Sequence, residues 1–172
     1  MRTLSGAAAP AAEAAILERL RRTGGVRACV ALRHSVEQVA PGLVGIRNPV
    51  ISIPENLASE LEPAEFESVL MHELAHVRRH DNFWSGLVHV VACLFWFHPL
   101  VWWMERRIAA ESERACDDLV MQWGAPPDRY AAAILKVCRL QITVPVAGLS
   151  GIGSGLAGNT ALTLTSVSQA SG

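Results

Sequence analysis

Residues 70–81 read Leu-Met-His-Glu-Leu-Ala-His-Val-Arg-Arg-His-Asp, with two histidines four apart and a glutamate directly after the first. On a helix, imidazoles at i and i+4 project from one face and can share a single Zn²⁺, while the adjacent carboxylate reaches a water on the metal. His72 and His76 are therefore candidate metal ligands, and Glu73 is the candidate base for metal-assisted peptide hydrolysis. Phe66, Val69, Leu70, Leu74 and Val77 recur at the spacing of a buried helical stripe. At about 100° per residue Glu73 falls within that stripe, with the two histidines along its edge. A carboxylate facing a core is costly unless it is paired, protonated or next to a metal. Two surface histidines beside a chance glutamate would leave that cost unexplained.

Two histidines and a water leave one zinc position for a third protein ligand. His80, eight residues beyond His72, lies ~12 Å further along the axis and is too far away to share the ion. The His-x-x-Gly-x-x-His extension of one zincin class is absent, since Arg79 and Asn82 occupy its Gly and His places. The ligand must come from another element, and "AESERACDD" is the best source. Glu111 and Glu113 lie about 200° apart on a helix, so only one can face the metal. Periodicity barely chooses between them. Asp117, at i+4 from Glu113, shares its face and could orient a ligand histidine, which favours Glu113. Glu111 and Asp118 fit a solvated face carrying Arg106, Arg107 and Arg114. Tyr130, His98 and His80 are candidates for stabilising an oxyanion, and each fits a structural role as well.

These residues need elements to hold them. Pro63, with Glu62, Glu65 and Glu67 around it, marks the start of the motif helix. Residues 11 to about 22 predict a short amphipathic helix ended by Gly24-Gly25, and "VRACVALR" alternates as a strand. "GIRNPVISIP" is extended, and Pro49 and Pro54 favour an edge strand whose free side could receive a substrate backbone. An ordinary small sheet covering the helix fits as well. "ERRIAAESERACDDLVMQWG" predicts a helix ending at Gly124, and a further helix begins near Pro127-Asp128. The organisation expected is a helix or linker over 1–25, a metallopeptidase domain over 26–140 and a flexible Gly/Ser/Thr-rich tail over 141–172. The fold class is α+β and mostly helical, with a small sheet edge.

Lys and Arg number 15 against 16 Asp and Glu, a net charge of −1, so no basic field argues for direct nucleic-acid binding. The apolar share is 51% with five Trp, which points to a membrane or partner surface. Phe83 to Met104 runs 22 residues without a formal charge and carries four of the Trp, as interfacial belts do. At ~1.5 Å per residue a helix of that length would cover roughly 30 Å. His89, His98 and Pro99 argue against a simple spanning helix; a hairpin in or on the bilayer, bent near His98-Pro99, is expected, with a buried core helix as the alternative. Cys29, Cys93, Cys116 and Cys138 form no Cys-x-x-Cys pair, so reduced and mostly buried thiols are expected. Glu13 and Glu18 interrupt any signal-peptide core near the N-terminus.

In order and spacing, "MHELAHVRRHD", "FWFHPLVWW" and "ESERACDD" resemble the peptidase domain of the BlaR/MecR family of membrane-bound sensor-transducers, over roughly Val26 to Leu140. The resemblance implies a zincin-like, gluzincin-type domain with zinc held by His72, His76 and Glu113 and Glu73 as the base. It further implies a cell-membrane protein among lipid or other transmembrane helices, with its peptidase site facing the cytoplasm. The implied substrate is a protein such as a transcriptional repressor. The leading transmembrane helices of that family are not found here, and the Ser-x-x-Lys motif of its penicillin-binding domain occurs nowhere in the chain, as expected of a fragment or a reduced member. β-Lactam sensing is therefore not implied. The rival readings are a membrane-protein quality-control protease and a non-hydrolytic zinc-binding sensor module; structural zinc sites usually close with four protein ligands, against three here.

Overall fold

Ile51 and Ile53 are wholly buried, and the strand that carries them lies between two others. The computed structural model describes residues 7–36 and 40–143, so nearly all of the tail expected to be flexible lies outside the described residues. Four strands form one sheet in the order β1-β2-β4-β3: β1 (Ala7–Ala8), β2 (Ala31–Ser35), β3 (Gly42–Val44) and β4 (Val50–Pro54). β2 and β4 run parallel with Leu32 opposite Ile51, whereas β3 is antiparallel to β4 with Leu43 opposite Ile51.

The strand expected at the edge is therefore internal. Pro49 precedes β4 and Pro54 is its last residue, so neither missing N–H falls inside the ladder and both neighbours can pair. The free edge beyond β4 belongs to β3. The turn between them requires Gly45, whose φ is +93° and where a Cβ would sit 2.7 Å from the carbonyl oxygen of Asn48. The strand read from "VRACVALR" also begins later, at Ala31.

Helix α1 (Ala11–Thr23), close to the amphipathic helix expected over 11 to about 22, sends Leu17 and Leu20 into the core. Beyond the short α2 (Glu55–Glu60) comes α3 (Pro63–Arg79), the motif helix. Its start has Pro63 at the first position and a capping box: the Glu65 side chain accepts from the Glu62 backbone N–H at 2.8 Å, and the Glu62 side chain accepts in return. Phe66, Leu70, Leu74 and Val77 pack against Leu17, Leu20, Ile51 and Ile53, each large side chain contributing about 1.5–3 kcal/mol by leaving water.

α3 ends at His80, whose φ of 58° is left-handed, and α4 (Asp81–Leu94) starts at the next residue. α5 (Pro99–Gln122) returns alongside α4, and α6 (Pro127–Thr143) follows Gly124. A second core forms where Ala75 of α3 meets Cys116 and Val120 of α5 and Tyr130 of α6.

The 22-residue uncharged run is thus a helical hairpin. It breaks over residues 95–98, where the Trp102 indole N–H donates to the Trp96 carbonyl at 2.7 Å and Pro99 opens α5. Only Ala92 of α4 is buried, whereas Leu94, Trp96 and Phe97 are each about two-thirds exposed. Within the described residues this run is therefore not a buried core helix. No described helix is long and apolar enough to cross a membrane.

Candidate metal centre

His72 and His76 lie one turn apart on α3, and α5 crosses that face with Glu113. The Nε2 atoms of the two imidazoles are 3.2 Å apart. Glu113 approaches both, with one carboxylate oxygen 3.4 Å from Nε2 of His72 and the other 3.8 Å from Nε2 of His76. A tetrahedral zinc ion with bonds of ~2.0–2.1 Å separates its ligand atoms by about 3.3 Å, which is the spacing of this trio. Glu111 turns away, paired with Arg114 at 2.8 Å.

Each imidazole is gripped from behind. Nδ1 of His76 is 2.8 Å from the Asp81 carboxylate. Nδ1 of His72 is 2.8 Å from the Tyr130 hydroxyl and 3.3 Å from Asp117. Since that hydroxyl donates to Asp117, its oxygen is the acceptor for His72. The network assigns the proton to Nδ1 in both rings. Both Nε2 lone pairs then point at one another across 3.2 Å, beside a carboxylate. Such an arrangement is repulsive unless a cation or a proton sits between them. His72, His76 and Glu113 are thus a donor set that fits a divalent metal of the zinc type, and their ligating atoms lie within 4.8 Å of one another.

Electrostatics agree with the geometry. Burial pulls the His72 pKa down, but the Glu113 contact and the charges of Glu73 and Asp117 outweigh it and leave it raised. Glu113 is held below the ordinary carboxylate value, first by its contact with His72. Glu73 is 7% exposed, and burial raises its pKa against the pull of the two histidines. No hydrogen bond enters into its shift, and it lines the cavity beside the donor set. A buried carboxylate in that position fits proton transfer.

Asp81 is the residue that sequence reasoning passed over. Burial favours its neutral form, but hydrogen bonds from His76, the Cys116 thiol and Ser112 prevail and keep it ionised. Cys116 donates to it at 3.2 Å, and burial, followed by that hydrogen bond, pushes the thiol pKa up, so it serves as a neutral donor. Cys29, Cys93 and Cys138 are exposed, contrary to the expectation of mostly buried thiols. The position of Asp81, immediately after the helix, was the available signal; a left-handed turn at a non-glycine residue is what folds it back.

A cavity of about 680 Å³ opens over the trio, walled by β3 on one side and by the α4–α5 hairpin on the other. Tyr130 holds the rear of His72, and neither it nor His80 nor His98 is among the residues that line this cavity.

The family model described as BlaR1 peptidase M56 matches residues 2–152. The regulatory protein BlaR1 of Bacillus licheniformis is 31% identical over 83 residues, which cover 48% of this chain and 14% of that protein. The methicillin resistance mecR1 proteins of Staphylococcus aureus and Staphylococcus epidermidis are each 29% identical over 98 residues, covering 56% of this chain and 17% of theirs. The matched region thus spans less than a fifth of these relatives' length. With most of its residues matched, the chain belongs to the BlaR1 peptidase M56 family, whose members are metallopeptidases.

Proposed function

We propose that this chain is the catalytic unit of a zinc-dependent endopeptidase in a membrane-associated signal transducer. The convergence of two bare Nε2 atoms and the Glu113 carboxylate beside the buried Glu73 carries this reading. His72, His76 and Glu113 would hold zinc, which when bound supplies the positive charge that acidifies a water and polarises a peptide carbonyl. Glu73 takes a proton from the water onto its carboxylate and returns it to the departing amine. Burial raises its pKa above the ordinary carboxylate value, which favours its holding the proton between the two halves of that cycle. Asp81 and the Tyr130–Asp117 pair hold the imidazoles in the tautomer that leaves Nε2 bare.

A set of three protein donors under an open cavity favours catalysis over a structural or sensing zinc site, which would close with a fourth. The name of one relative, a regulatory protein, supports a role in signalling, and the substrate in this reading is a protein such as a transcriptional repressor. Membrane association is supported by the exposed apolar hairpin, and Arg78, Arg79, Arg106 and Arg107 at its two ends fit a cytoplasmic location for both.

The test compares wild type with Glu73→Gln for zinc content and for cleavage of a quenched-fluorescent peptide library. The variant should keep its zinc and lose at least about a hundred-fold in rate, as removal of a general base does. Cleavage at the wild-type rate would reject Glu73 as the base, and a zinc-free wild type would reject the metal site.

A further inference from the structure

Asn82, the second residue of α4, bonds to a strand 39 residues away. Its side-chain amide donates to the carbonyl of Leu43 at 3.1 Å and to that of Gly45 at 2.9 Å. A carboxamide has two N–H groups, so one side chain satisfies both acceptors. β3 is three residues long and paired only with β4, and its turn depends on the left-handed Gly45. A strand that short at a sheet edge is weakly held by its ladder alone. Leu43 and Asn82 also line the cavity over His72 and His76. The carboxamide therefore ties the cavity wall on the sheet side to the start of the helix that forms the opposite wall.

We propose that Asn82 is a positioning residue that sets the distance between β3 and the donor trio, and thereby how tightly an extended peptide is held for cleavage. This rests on the peptidase reading, because a wall matters only if something lies against it. With Asn82 on the carbonyls of Leu43 and Gly45, an extended peptide would lie against the wall that Gly42 and Leu43 present to the cavity. Asn82 is not a ligand and is not placed to touch the reacting atoms. Its neighbour Asp81 grips His76, so consecutive residues hold the imidazole and the wall.

Two variants separate the donor from the side chain's bulk: Asn82→Ala removes both, while Asn82→Asp keeps the shape, cannot donate and suits a helix N-terminus. Amide hydrogen exchange is read first, without substrate. Both variants should exchange about ten-fold faster at the β3 amides, with α3 unchanged, if the bonds hold the edge. Steady-state kinetics on quenched-fluorescent decapeptide and tetrapeptide libraries come second. KM for decapeptides should rise by roughly ten-fold with kcat and zinc content unchanged, and tetrapeptides should be affected less. Unchanged exchange at β3, wild-type kinetics in Asn82→Asp, or an equal loss on both libraries would each overturn the proposal. If wild type cleaves neither library, it is the peptidase reading that fails, and the exchange data alone decide whether Asn82 holds the strand.

Discussion

The Asp81 carboxylate lies 2.8 Å from Nδ1 of His76, although Asp81 belongs to the helix after the one that carries the histidine. The same carboxylate also receives the Cys116 thiol at 3.2 Å and Arg79 at 3.3 Å. Removing it frees the ring to turn and lets the proton move to Nε2. Asp81→Ala is expected to weaken zinc binding by about 10–100-fold while leaving the ligand set intact, as loss of a partner behind a ligand histidine does. Competition with a chromogenic chelator measures this, and an unchanged affinity would show that Asp81 only packs the joint.

Protons compete with the metal for His72. Its pKa is raised above the usual 6.5 by Glu113, Glu73 and Asp117 against the opposing effect of burial, so the ring stays charged to a higher pH than an ordinary imidazole. Binding requires the neutral ring, so zinc affinity rises with pH and is lost as pH falls through that raised value. Isothermal titration in two buffers of different ionisation enthalpy should show proton release at neutral pH, and Glu113→Gln should reduce it. Equal heats in both buffers would contradict this.

Glu65 is buried at the start of α3, where it bonds Lys136 of α6 at 2.6 Å and caps the Glu62 N–H. Glu65→Ala leaves the partly exposed Lys136 without its partner and the helix end open, and should cost about 1–2 kcal/mol in urea denaturation. Lys136, followed by the Glu62 N–H, holds the Glu65 pKa below the carboxylate value of 4.5. A depressed folded-state pKa stabilises above the unfolded value, and that contribution disappears as pH drops through the folded one. The wild-type advantage over Glu65→Ala should therefore be constant near neutrality and vanish in acid.

The hairpin tip makes the membrane reading testable in vitro. Trp96 and Phe97 are 68% and 66% exposed at the bend between α4 and α5. Replacing both with Glu should reduce flotation with anionic vesicles by at least about ten-fold. Cys93, exposed on α4, supplies an internal reporter: alkylation should slow when vesicles are added, while alkylation of Cys29 should not. Equal rates at both thiols would remove the bilayer as the occupant of this face.

Local signals were readable and pairing signals were not. α3 follows from apolar periodicity with Pro63 at its first position, and α6 from Pro127; α5 was readable only from Glu105, whereas it runs unbroken from Pro99. The bend near His98-Pro99 follows from the same proline logic. The motif spacing was enough for His72 and His76, whereas Glu113 needed a guess about a face, which the structure then brought to within 3.4 Å. What escaped was non-local. Proline cannot say whether it ends a central strand or sits in an edge one, so β4 was misread. Nothing in His80 announces a left-handed turn, so the sequence does not show that Asp81 reaches back to His76. Cysteine exposure depends on which faces go uncovered, and Cys29 before β2, Cys93 on α4 and Cys138 on α6 each lie on such a face.

The single left-handed residue between α3 and α4 has a mechanical consequence. With no loop between them, the two helices behave as the arms of a crank with His80 as its pin, and the residues just beyond the pin clasp His76 and the β3 wall. A shift of the outer arm against α3 would therefore act first at the residues that hold the imidazole and the wall.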